Sequence, residues 1–290
     1  MRKKIYIIVG FLVLIIALGV YSGQEGSMFG QSSDMLVRAI VYGVLIGGIR
    51  AVIRPKQAIV DGKVIRHDAA SFIQHWGTAI GIFVLIISGA LIGFFFLESI
   101  ALRSPIPAEV DPETWVDPKT AWMTNVHFIG VAITLFCGFF FATDYVLSKN
   151  FKKLVPNVKE IIDGTLRKYL LRKPYHNEGK YLASQKAAFL SFAVLGAAVL
   201  ITGFIKVGVY MGHVGSEGTL IKWTTYIHDI SGFLFFLLLI VHVGVVVVLR
   251  HWPMMKSWMS GTVDEDLVKE EHPIWYEELK KDEDLKKDES

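Results

Sequence analysis

Four histidines stand inside the long apolar stretches of this 290-residue chain: His75, His127, His228 and His242. Imidazole is scarce in a lipid-embedded helix, because an unpartnered ring leaves polar nitrogens in hydrocarbon. Any one of them could serve helix–helix hydrogen bonding, a proton role or cofactor ligation. Their spacing favours ligation. His228 and His242 lie 14 residues apart, which on a helix returns to within about 40° of the same face after a rise of about 21 Å. His75 falls at the depth of His242, and His127 at the depth of His228. Two ligands at each of two depths suit haem iron, which accepts two axial imidazoles. Mononuclear zinc takes three or four ligands at one depth. The lone cysteine, Cys137, excludes a disulfide framework, a Cys-ligated zinc site and an iron–sulfur cluster held by this chain alone.

The elements that must position these rings are membrane helices. The chain is 52% hydrophobic and 20% charged, and its apolar residues are clumped rather than spread. Six stretches reach the roughly 20 residues a bilayer requires: 5–21, 36–53, 72–97, 122–147, 187–209 and 225–249. The second holds Arg38 and Arg50 near its ends, from which long basic side chains snorkel to the headgroups. The first also fits a signal peptide, with Arg2, Lys3 and Lys4 ahead of the apolar run; we expect it to be retained as a helix. The expected fold is an all-α integral membrane bundle of six transmembrane helices. It divides into an N-terminal two-helix hairpin extension (1–66), a four-helix core domain (67–255) and a cytoplasmic charged tail (256–290).

Charge gives the expected orientation. The net charge of +3 conceals an acidic segment, 264–290, of net −7, so the remainder carries +10. Segment 149–186 has ten basic residues against three acids, and 54–71 has four against two. Segments 22–34, 98–121 and 210–224 carry no excess of Lys or Arg. By the positive-inside rule both termini are cytoplasmic, in a bacterial or archaeal inner membrane. Trp115, Trp122, Trp252 and Trp258 suit interfacial anchoring. The tail from Asp264 reads as a solvated surface helix or a partly disordered segment.

The core resembles the di-haem cytochrome b (gamma) subunit of respiratory formate dehydrogenases. That subunit falls within a wider group that includes cytochrome b subunits of nickel–iron hydrogenases and thiosulfate reductases. The pieces that carry the resemblance are FIQHW at 72–76, ISGALIGF at 87–94, NVHFIG at 125–130, GKYLASQK at 179–186, LITGFI at 200–205, IHDISG at 227–232, LIVHV at 239–243 and HPIWYEEL at 272–279. It implies two haems b, one on the cytoplasmic side between His75 and His242 and one on the outer side between His127 and His228. It also implies a site for menaquinone or another quinone beside the cytoplasmic-side haem, at Gly179, Tyr181, Ser184, Gln185 and His242. Leu182 departs from the family, which carries asparagine there. Residues 1–66 have no counterpart in the four-helix subunit, and a lipid-facing hairpin or a docking surface would each account for them.

The implied function is electron transfer between an iron–sulfur subunit, with its catalytic dehydrogenase subunit, and membrane quinone. The chain itself would hold no formate-oxidising site and bind no nucleic acid, and the complex could form a higher oligomer. The alternative partner is a hydrogenase, another molybdoenzyme or a heterodisulfide-type module. A haem-free transporter or structural anchor is the reading from a different class. Arg54, Lys180 and Arg250 on the inner side, with Lys206 and Lys222 on the outer side, are candidates for haem propionates or for lipid and orientation contacts. Ser184 and Gln185 could instead cap the fifth span.

Overall fold

The computed structural model describes residues 32–55, 57–93, 118–173, 175, 177–210, 214–215, 218–248 and 252–288. Among them, five helices are long and apolar enough to cross a membrane. They are α1 (Ser32–Val52), α2 (Ala69–Gly93), α3 (Pro118–Leu147), α6 (Ala183–Tyr210) and α7 (Thr219–Val248). The expected first span, 5–21, lies outside the described residues, so five spans stand where six were expected. Between α3 and α6 run a 3₁₀ turn, α4 (Val158–Ile161), a π-helical turn and α5 (Lys168–Leu170). After α7 come α8 (Trp252–Ser260), α9 (Glu265–Glu271) and α10 (Pro273–Asp288).

The chain forms two compact units. The first contains α1, α2 and nearly all of α3. Its core is Ile133, Phe136, Cys137 and Phe140 of α3, with Ala39, Ala70 and Ile73 packed against them. Gln74 Nε2 donates to the buried carboxylate Oδ2 of Asp144 at 3.1 Å, so a polar pair is matched inside an otherwise apolar interface. The buried positions of α1, namely Leu36, Gly43, Gly47 and Arg50, fall at intervals of seven, four and three and make one stripe. A Cβ on Gly43 would lie 2.6 Å from the Phe136 carbonyl oxygen, and one on Gly47 2.7 Å from that of Phe140. The backbones of α1 and α3 therefore touch, as small residues permit in membrane helices. The α1 helix is thus packed on the core along this stripe. Gly47→Val is expected to destabilise the protein by about 1–3 kcal/mol, as overpacking at an unyielding backbone does. Thermal unfolding in detergent checks this, and an unchanged Tm would contradict it.

The second unit contains most of α6, all of α7 and a small α/β cap. Asp61 and Gly62 have φ of 50° and 70°, the pair of positive values that a type I′ hairpin turn requires. They join β1 (Ile59–Val60) to β2 (Lys63–Ile65), and β2 pairs antiparallel with β3 (Thr262–Asp264). Val64, Met254, Val263, Val268, Trp275 and Leu279 form the cap's core. Burying each such side chain contributes about 1.5–3 kcal/mol. Of the two forms expected for the tail, the structure has the helical one, as α9 and α10. Residues 262–285 are charge-rich, but their few apolar side chains are drawn inward by the β1–β2 hairpin, and they form a folded element rather than a loose one.

Candidate functional site

Each unit holds one histidine in the same local arrangement. In the first unit, Ser88 Oγ of α2 lies 2.6 Å from the Val84 carbonyl oxygen and 2.9 Å from Nδ1 of His127 on α3. In the second, Thr202 Oγ1 of α6 lies 2.6 Å from the Ala198 carbonyl oxygen and 2.9 Å from Nδ1 of His228 on α7. A hydroxyl has one proton. Because the carbonyl can only accept, that proton is donated to it, and the hydroxyl oxygen accepts from the ring's Nδ1–H. The Val199 carbonyl is a further backbone partner for His228. Both rings are thereby set as the Nδ1–H tautomer, in which Nε2 carries the lone pair of the kind a metal takes.

The residue after each hydroxyl is glycine. A Cβ on Gly89 would stand 3.4 Å from His127 Cε1, and one on Gly203 would stand 3.5 Å from His228 Cε1. The bare backbone keeps the flank of each ring clear. These features fit an axial imidazole of a haem.

His228 and His242 occur on one unbroken helix, α7, so the 14-residue interval is realised as a continuous rise. Thr224, His228, Ser231, Phe235 and His242 follow one another at intervals of four, three, four and seven along a single stripe. The His242 ring meets Phe192 of α6 edge-on, with centroids 5.6 Å apart, and Phe192 in turn packs on Phe235 at 5.1 Å. In the first unit, His75 lies one turn and a half into α2 and stands edge-on to Trp76 at 5.1 Å.

At the start of α6 the structure collects the GKYLASQK segment around a residue that sequence reading did not single out, Arg66. Its Nη1 lies 3.1 Å from His272 Nε2 and 2.9 Å from Met254 Sδ. Its Nη2 donates to the Lys180 carbonyl at 3.0 Å and reaches Gln185 Oε1 at 3.5 Å. His272 Nδ1 donates to the Gly179 carbonyl at 2.6 Å, so its Nε2 is an acceptor and the ring is neutral. Gln57 links the cap to this cluster, donating to the Arg66 carbonyl and accepting from Trp275 Nε1, each at 3.2 Å.

The candidate quinone residues divide by what they touch. Gln185 Oε1 accepts from the Leu182 N–H at 3.2 Å, and Glu178 Oε2 accepts from the Ala183 N–H at 2.8 Å. Leu182, at the N-cap position, has no side-chain acceptor; Gln185 supplies the reciprocal half of a capping box and Glu178 supplies the rest. The capping role considered for Gln185 is therefore real. Ser184 Oγ instead faces Tyr169 Oη at 3.3 Å. The Tyr181 and Tyr145 hydroxyls are 2.6 Å apart. Gly179 contributes its carbonyl to His272.

This cluster is electropositive. Burial, reinforced by Arg66, Arg54 and Lys153, lowers Lys180 to a pKa of about 7. Its ammonium sits over the Tyr181 and Trp275 rings at 5.5 and 6.0 Å. Burial likewise lowers Arg66 to about 10, and burial with the Arg66 charge lowers His272 to about 3. Arg54 stacks on the Tyr145 ring at 4.6 Å. Lys206 is half-buried and Lys222 exposed near the α6–α7 connection. Arg250 lies outside the described residues.

The His272 shift predicts pH dependence. An unfolded histidine titrates near 6.5 and the folded ring only near 3. Between those values the unfolded state binds more protons, so stability falls as pH falls through this window. From pH 6.5 to 5 the loss is about 2 kcal/mol at about 1.4 kcal/mol per unit. Hydrogen exchange of α10 measured across that range checks it; the same slope in His272→Gln would contradict it.

Membrane-crossing helices that present hydroxyl-anchored imidazoles define a class of membrane protein suited to holding haem. The family is shown directly: the chain belongs to the prokaryotic cytochrome b561 family, whose model matches residues 66–260. It is thus a multi-pass membrane protein of prokaryotic type, and an electron-transfer cytochrome b subunit of a redox complex. No curated protein matches the sequence.

Proposed function

We infer that this chain is the membrane subunit that passes electrons between an iron–sulfur partner and quinone, in a complex of the formate dehydrogenase type. His75 and His242 hold one haem b towards the cytoplasm, and His127 and His228 hold a second towards the outer face. The observation that carries the reading is the matched presentation of His127 and His228, each with Nδ1 held at 2.9 Å by a hydroxyl of the neighbouring helix. Bound haem b supplies a one-electron couple between ferrous and ferric iron.

The protein's own residues do the rest. The α7 helix fixes two ligands about 21 Å apart along its own axis. At the cytoplasmic start of α6, Tyr181, Ser184 and the Gln185 amide line a quinone headgroup site, with Gly179 and His242 at its edges. Lys180 holds at Nζ a proton that is labile near neutral pH, suited to the oxygen of a quinone being reduced. With a partner on the outer face, electrons moving inward meet protons from the cytoplasm and build membrane potential.

Adding a soluble menaquinol analogue anaerobically to the purified protein tests this. Haem is expected to be reduced, and Tyr181→Phe combined with Lys180→Ala to slow that reduction at least tenfold with haem content unchanged. Equal rates in the variant would overturn the quinone assignment. A hydrogenase-type complex is the second reading, favoured because the matching family model is of the nickel-hydrogenase cytochrome b type. Identifying the co-purified catalytic subunit separates the two.

A further inference from the structure

The two hydroxyls that back His127 and His228 do more than fill space between helices. Both belong to residues that bond their own helix four residues back, at the same 2.6 Å. Both also touch the carbonyl three residues back, Leu85 at 3.4 Å and Val199 at 3.2 Å. Both stand 2.9 Å from Nδ1 of a histidine on the neighbouring helix and are followed by a glycine beside that ring. The partners are 39 and 26 residues apart in sequence, so this is one device built twice from different segments.

Hydroxyls in membrane helices commonly bond their own backbone and end there. Here each is placed in series: ring N–H to hydroxyl oxygen, hydroxyl proton to carbonyl. Bonds in such a chain polarise one another in the same sense. Electron density moves away from Nδ1–H and the opposite nitrogen becomes a stronger donor, as partners of metal-bound histidines bring about. A stronger pair of donors favours ferric over ferrous iron.

We propose that Ser88 and Thr202 are positioning residues for the haem held by His127 and His228: they lock both ligands in the Nδ1–H tautomer and lower that haem's reduction potential. The inference rests on the ligand assignment made above. It assigns these residues no contact with the haem or with quinone.

The test is redox titration of the full-length, haem-loaded protein, with electron paramagnetic resonance of the ferric state. Ser88→Ala and Thr202→Val are expected to retain both haems and to shift one midpoint potential, the same one in each, to a higher value. The double variant shifts it further, and the ferric g-values of that haem move with it. Ser88→Thr and Thr202→Ser keep the hydroxyl and restore the original potential. A hydroxyl with only a packing role would alter thermal stability and leave both potentials in place, which overturns the proposal. His127→Ala and His228→Ala distinguish the two levels of the argument. Loss of the haem that the hydroxyl variants shift supports both. Loss of a haem whose potential the hydroxyl variants leave unmoved overturns the tuning role alone. Retention of two haems in both histidine variants overturns the ligand assignment and the tuning role with it.

Discussion

His228→Ala is expected to lower the haem content of the purified protein from about two per chain to about one, and His242→Ala to do the same through loss of the other haem. The reason lies in α7, which carries both rings at two levels of one helix. On the proposed pairing, removing either would leave that haem with a single histidine, while the other level keeps its two. His127→Ala should therefore reproduce the spectrum of His228→Ala, and His75→Ala that of His242→Ala. Residual absorbance in each variant identifies the surviving haem, and the two surviving spectra should sum to that of the unaltered protein. If the rings were only interhelical hydrogen-bonding groups, each variant would lower stability by about 0.5–2 kcal/mol, the scale of a membrane hydrogen bond, with no loss of colour. The pairing of phenotypes is the sharper outcome, since no packing role predicts that residues on different helices fall into these two classes.

The second large effect is expected at Arg66. Its guanidinium, 5% exposed, meets His272, Met254 and the Lys180 carbonyl within 3.1 Å. Alanine there strands a buried imidazole nitrogen and a half-buried carbonyl, and it uncouples the cap from the start of α6. Breaking a buried charged cluster from one side costs about 3–5 kcal/mol. Hydrogen-exchange protection in α10 should then fall by about two to three and a half powers of ten, since each ~1.4 kcal/mol is tenfold. Arg66→Lys keeps the charge but has no fork to span three partners, and it should recover only part of the protection. Because Lys180 and Gln185 lose their neighbour as well, quinol-driven reduction should weaken in parallel. Protection unchanged in Arg66→Ala would show that the cap is held by its apolar core alone.

Much of this was legible in the sequence, and the reasons are physical. Membrane spans announce themselves by length and hydropathy, so five of the expected stretches reappear as helices, including the one that holds Arg38 and Arg50. The 14-residue interval between His228 and His242 is a local property of one helix, and it survives folding unchanged. The cap was not legible because its core joins Val64 to residues about two hundred positions later, three of which (Val268, Trp275 and Leu279) are hidden in a segment of net −7. One signal was available: Asp61-Gly62 between Ile59-Val60 and Lys63-Val64 is a hairpin pattern. Arg66 and His272, 206 residues apart, could be joined only by the fold. Ser88 and Thr202 are ordinary residues for a membrane helix. Nothing in their spacing points at His127 and His228, because the contact depends on how two helices are rotated against each other. Gln185 shows the opposite limit. Its chemistry suggested a ligand contact, while its place three residues past Leu182 equally suited a cap, and the side chain does serve that end of the helix.

On this reading the chain carries two haems b on His75, His127, His228 and His242. Reduced-minus-oxidised spectra with a haem extract assay on the purified full-length protein test it most directly. The expected result is b-type absorbance and about two haems per chain, falling to about one in each single histidine variant. A colourless protein, or a haem content unmoved by all four substitutions, would contradict it.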